Sequence, residues 1–132
     1  MAGTIVAGTL SDGTSSTSST NIIFGSAKAW VNFNGTLASP GTGRASYNIS
    51  SVTKISTGRF QINFTTAMTD INYSIIGICS CDGQFGVGGS IKVLNIEQTS
   101  TFLTTSCIIG TATVGATPAM IDTTITSVAV FR

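Results

Sequence analysis

The chain has 132 residues, a formal net charge of +1 and no histidine, with six basic and five acidic side chains against 39 serines and threonines. Charged residues at 8%, far below the roughly 25% of ordinary domains, leave no basic footprint for nucleic acid and no patch for anionic lipid. The missing histidine removes the Ser/His and Cys/His nucleophile systems and the commonest metal ligand.

In chain order, Met1–Thr20 divides in two. Gly3–Leu10 (GTIVAGTL) reads as a short strand. Ser11–Thr20 (SDGTSSTSST) is a hydroxyl run with too little apolar area to order itself. Residues 1–20 are therefore expected to be an extended N-terminal arm or tether, with Thr4, Ile5, Val6 and Leu10 as its partner-binding residues; the alternative is a loose terminus. The first twenty residues have neither the basic start nor the apolar run of a secretory signal or membrane span, so the expected site of synthesis is the producing cell's cytoplasm.

Residues 21–132 are expected to form one β domain. Strands are predicted at Ile22–Phe24, Ala27–Phe33, Ala45–Thr53, Arg59–Thr65, Tyr73–Ser80, Ser90–Ile96, Phe102–Ile109 and Thr123–Phe131, with Gly, Asn and Pro between them. Thr66–Asn72 offers at most one helical turn. Eight strands of this length suit a two-sheet antiparallel β-sandwich, a jelly roll or related Greek key. Alternation selects Ala29, Val31, Phe33, Tyr47, Ile49, Phe60, Ile62, Phe64, Ile75, Val93, Leu103, Cys107, Ile125, Val128 and Val130 as inward. Tyr73–Cys79 is ambiguous, because Ile76 and Ile78 are apolar as well, which suits a strand covered on both faces.

The segments Lys28–Gly35 (KAWVNFNG), Ala45–Thr53 (ASYNISSVT), Arg59–Asp70 (RFQINFTTAMTD), Asn72–Ile76 (NYSII) and Val128–Arg132 (VAVFR) resemble, in order and wording, small virion structural proteins of tailed bacteriophages, especially those infecting cyanobacteria and other marine bacteria. The resemblance spans roughly residues 21–132 and is loose from Gly77 to Thr126. It implies a piece of a virus particle, in one of two places. One is a capsid decoration or cement protein on the outer shell, a homotrimer contacting the major capsid protein or other virion proteins. The other is a tail-fibre or receptor-binding tip that recognises host glycan. A sparsely charged chain of positive mean hydropathy independently suits ordered association, although a soluble monomeric sandwich remains open.

Chemistry is thin along the chain. Asp12, Asp70, Asp82, Glu97 and Asp122 fall one per segment, a poor start for the paired acids of a glycosidase. Cys79, Cys81 and Cys107 form an odd set without a fourth zinc ligand, so buried free thiols are expected. The loop Gly83–Gly89 (GQFGVGG) lacks the Lys-Ser/Thr of a phosphate cradle. The reading is of a non-enzyme without metal or cofactor, with Trp30, Tyr47 and Phe85 as aromatic contacts to a subunit or, in the fibre-tip case, to a sugar.

Overall fold

The computed structural model describes residues 3, 6–81, 91–96, 102–115 and 117–132. It opens with a small hairpin in which β1 (Thr9–Ser11) pairs antiparallel with β2 (Ser16–Ser18). The hydroxyl run thus orders by hydrogen bonding and not by burial, since Thr9 to Thr17 are all exposed. One Asp12 carboxylate oxygen accepts the backbone N–H groups of Thr14 and Ser15 at 2.9 and 2.7 Å. Those bonds hold the Asp12 carboxyl below its usual range.

The strand expected at Ile22–Phe24 is instead part of helix α1 (Ser19–Gly25). Ser18 caps it, its hydroxyl accepting the Asn21 N–H at 3.2 Å, and the Ser26 N–H closes on the Ile22 carbonyl at 3.0 Å. A capped start satisfies donors that β propensity alone leaves open, which winds the apolar triplet into a helix. None of its residues is buried.

Eight strands follow: β3 (Ala27–Phe33), β4 (Ala45–Tyr47), β5 (Ile49–Ser56), β6 (Arg59–Phe64), β7 (Ser74–Cys79), β8 (Lys92–Ile96), β9 (Ser106–Thr113) and β10 (Thr126–Phe131). They form two antiparallel sheets, ordered β4-β3-β10-β7 and β5-β6-β9-β8. Hairpins stay within a sheet, whereas β4–β5, β6–β7, β7–β8 and β9–β10 cross between sheets. The last strand returns beside the first of the sandwich.

The segment expected as one strand from Ala45 to Thr53 breaks at Asn48, whose φ of 56° is left-handed, a conformation asparagine tolerates better than most residues. Its amide nitrogen donates to the carbonyls of Lys28 and Thr66 at 3.0 and 3.1 Å, and its oxygen accepts the Thr66 N–H at 2.7 Å. This corner sends β4 to one sheet and β5 to the other. It also corrects Tyr47, which is expected inward but lies exposed, opposite Trp30 on the outer face.

Two more residues expected inward are exposed, Leu103 and Ile125. The strand predicted at Phe102–Ile109 begins only at Ser106, because Leu103 and Ser106 close a turn on each other's backbone; Ile125 precedes β10. Thr66–Asn72 forms no helical turn; Met68 is buried there and donates its N–H to the Thr104 carbonyl at 2.8 Å.

The core is the interleaving of two alternating sets. Ala29, Val31, Phe33, Val128 and Val130 come from one sheet, and Ile49, Val52, Phe60, Ile62, Phe64, Cys107 and Ile109 from the other. Phe33 meets Phe60 edge to face at 5.0 Å, and Tyr73 stands edge-on between Phe64 and Phe102 at 5.9 and 5.0 Å. The Tyr73 hydroxyl is shared between the Leu103 and Ser106 carbonyls at 2.9 and 3.0 Å. At the β5–β6 turn Gly58 has φ +68°, and a Cβ there would lie 2.5 Å from the Thr111 carbonyl oxygen. Only glycine fits that approach.

Candidate interaction surface

The outer faces of the two sheets differ in kind. On β5 and β6 the outward side chains are amides and hydroxyls bonded to one another. Asn63 donates to Ser51 at 2.9 Å and to Thr53 at 3.3 Å, and Gln61 donates to Asn63 at 2.6 Å. These polar groups satisfy one another, as suits a surface in water, although β5 also exposes Ile55 and Ile108 of β9 pairs with outward Gln61.

The outer face of β4-β3-β10-β7 is apolar. Strand register lines up Tyr47, Trp30, Ala129 and Ile76 as one row across all four strands. The next row is Ala45, Asn32, Ser127 and Ile78. Small Ala129 between Trp30 and Ile76 leaves a shallow trough of about 430 Å³, whose lining contains no charged side chain. Trp30, Tyr47, Ile76 and Ile78 are 40%, 58%, 58% and 72% exposed. At one edge of the trough Asn32 donates to the Ser127 hydroxyl at 2.6 Å and Arg44 reaches Asn32 at 3.3 Å and the Thr124 carbonyl at 2.6 Å.

A second hollow, of about 470 Å³, lies at one end of the sandwich and is bordered by Lys28, Tyr47, Asn48, Thr66, Met68 and Arg132. Both of its cations are engaged. Lys28 donates to the Ser26 hydroxyl at 2.9 Å and to the Ile23 carbonyl. Arg132 clasps Asp70 with two nitrogens, Nε to Oδ1 at 2.8 Å, and holds that carboxyl below its usual range. With its charge spoken for, this hollow offers an anion little.

Of the residues singled out in the sequence, Trp30 and Tyr47 are brought together as a cross-strand pair. Val6 and Leu10 are exposed on the N-terminal segment, far apart in kind from any core position, and Leu10 pairs with Thr17. Thr4, Ile5 and Phe85 lie outside the described residues, as do Asp82 and Glu97. Ile76 and Ile78 complete the apolar face; their signal in the sequence is the double-sided apolar character of Tyr73–Cys79. The exposed triplet Ile22, Ile23 and Phe24 carries a strand signal in the sequence and no contact signal, yet it sits on helix α1 with its apolar side chains in solvent.

The described carboxylates are each engaged in structural bonds. Asp12 holds its turn, Asp70 holds Arg132, and Asp122 bonds Lys54 and the Gly58 N–H. Among the described residues no group of three or more Cys, Asp or Glu side chains is placed to hold a metal ion. Cys107 is buried, and burial pushes its thiol up to about 12; Cys79 is half-buried and shifted upward chiefly by desolvation. Neither is primed as a nucleophile. Among the described residues no helix is long and apolar enough to cross a membrane.

No protein-family model matches the chain, no curated protein matches it, and no solved structure matches its fold.

Proposed function

We propose that this protein is a structural component of a tailed-bacteriophage virion, a decoration or cement protein that binds the outer shell as a homotrimer and stabilises it through contacts with the major capsid protein. The observation that carries this reading is the uncharged apolar face of Trp30, Tyr47, Ile76 and Ile78 on an otherwise well-packed sandwich. Contiguous apolar surface of this kind marks association. The exposed apolar residues Ile22, Ile23 and Phe24 on helix α1 and Leu10 on β1 support the same reading, with the N-terminal segment as a strap to a neighbouring subunit. The motif order from KAWVNFNG to VAVFR supplies the virion context. A protein that binds only the assembled shell adds stability by linkage and interface area, and needs no catalytic group.

The test is copy number in purified particles. Hundreds of copies per particle would support a shell protein, and a handful would overturn it.

One specific observation favours a tail-fibre tip instead, the side-by-side Trp30–Tyr47 pair next to the Asn32–Ser127 hydrogen bond. Aromatic faces beside amide and hydroxyl groups suit sugar rings. On that reading Trp30→Ala abolishes adsorption to host cells while leaving particle stability unchanged.

A further inference from the structure

We infer that β7 is a self-complementary edge strand, through which two copies of this chain join their four-stranded sheets into one of eight strands about a two-fold axis at Gly77.

The edge strands are not equally protected. β4 has three residues, and β5 is broken by two register shifts. β8 opens with a lysine. Short length, irregular register and lysine are the usual devices that blunt a sheet edge. β7 has none of them. It runs six residues with an unbroken register against β10, carries no charge and no proline, and pairs with β10 alone among the described residues.

The sequence of this edge reads nearly the same in both directions. Ser74 to Ser80 is SIIGICS, which reversed is SCIGIIS. An antiparallel pair centred on Gly77 therefore places Gly77 opposite Gly77, Ile76 opposite Ile78, Ile75 opposite Cys79 and Ser74 opposite Ser80. An isologous contact demands such self-complementarity, since residue i must suit j while j suits i. Neither strand brings a charge that its copy would repel.

Packing on both faces agrees with that centre. Gly77 pairs with Val128 and is itself exposed, yet it lies so close to the Ser127 carbonyl oxygen that a Cβ has no room, and it adds no bulk where the two backbones meet. Ile76 and Ile78 point outward, the most exposed apolar side chains of the sandwich's trough. Pairing brings Ile76 and Ile78 of both copies into one four-isoleucine cluster, continuous with the row through Ala129 and Trp30. Cross-strand aliphatic pairs of this kind stabilise a sheet. A two-fold contact cannot close a three-fold ring; combined with the trimer proposed above it joins two trimers into a hexamer, and without that trimer it gives a dimer, so either way the number of chains is even.

The test uses the full chain. The wild type is expected to sediment as an even number of 13.5 kDa chains. Ile78→Lys should halve that mass, weakening self-association at least ~10-fold, with an unchanged circular dichroism spectrum because the side chain touches no core. Register is read by cross-linking in a Cys79→Ser, Cys81→Ser background under mild oxidation. The doubly substituted Ile76→Cys, Ile78→Cys protein should form disulfide-linked dimers, and neither single substitution should. An odd or monomeric wild-type mass, a mass that Ile78→Lys leaves unchanged, or cross-links in a single variant would overturn the inference.

Discussion

Lys54 on β5 lies 2.6 Å from the Asp122 carboxylate, in a pair only 18% and 22% exposed, and the same carboxylate accepts the Gly58 N–H at 2.8 Å. One acidic side chain thus fastens the β5–β6 turn to the segment that leads into β10. The pair couples positions 68 residues apart, which no local pattern in the sequence foretells. Replacing Asp122 by alanine leaves a partly buried ammonium and a turn N–H without their acceptor, and should cost about 2 to 3 kcal/mol. Lys54→Met keeps the turn bond and should cost less. Urea unfolding of both variants and the double variant measures this; equal costs would mean that the ion pair, and not the turn, dominates.

The alternation in β6 sets a second expectation. Ile62 is fully buried between the sheets, whereas Gln61 faces outward and bonds Asn63. Ile62→Asp places a charge in the core and should prevent folding, because a buried unpaired carboxylate exceeds the net stability of a domain this size. Gln61→Asp should cost less than about 1 kcal/mol. Soluble yield and thermal melting decide it, and equal tolerance of the two changes would mean the register is wrong.

What the sequence showed, and what it hid, follows from which forces act locally. Period-two alternation is local, so Ala27–Phe33 and Arg59–Phe64 stand where the pattern puts them, with Phe33 and Phe60 in contact. Sheet membership is not local. The break at Asn48 depends on carbonyls of Lys28 and Thr66 that only the fold brings near, and without it Tyr47 reads as core. Threonine misleads for a related reason. Thr123 and Thr126 look like surface hydroxyls but are fully buried, their oxygens bonded to each other at 2.6 Å; Thr111 is buried with its hydroxyl on the Ile121 carbonyl. A hydroxyl goes inside when it finds a partner, and partners are tertiary. The apolar face is not local either, because Trp30, Ile76 and Ile78 come from strands distant in sequence and joined through β10.

Alkaline pH should destabilise the protein through Cys107. Burial raises its thiol from the ordinary 9.0 to about 12, so the folded chain holds a proton that the unfolded chain releases. Stability from this group is complete below pH about 9 and is lost as pH climbs toward 12, at no more than roughly 1.4 kcal/mol per unit. Tyr73 is shifted upward as well, by desolvation and then by its proximity to Cys107, and steepens the loss above pH about 10. Cys107→Ala should be less stable at pH 7 yet show a flatter decline in melting temperature between pH 9 and 11. An unchanged slope would exclude Cys107 as the source.

The N-terminal hairpin and helix provide the last expectation, because their order owes little to burial. Thr9 to Thr17 are exposed, and α1 contributes no buried residue. Fixing a residue costs roughly 1 to 2 kcal/mol of backbone entropy, and here the offset is a few hydrogen bonds centred on Asp12 and Ser18. A segment held so lightly, yet presenting Leu10, Ile22, Ile23 and Phe24 to solvent, gains most when those side chains are covered by another molecule. Removing residues 1–25 should therefore leave the sandwich folded, with stability changed by less than about 1 kcal/mol, since the core strands begin at Ala27. On the shell role proposed above, the same truncation should abolish docking onto shells prepared without the protein, and those shells should stay heat-sensitive after it is added. Full occupancy by the truncated chain would assign binding to the Trp30–Ile76 face and make the N-terminal segment a bystander.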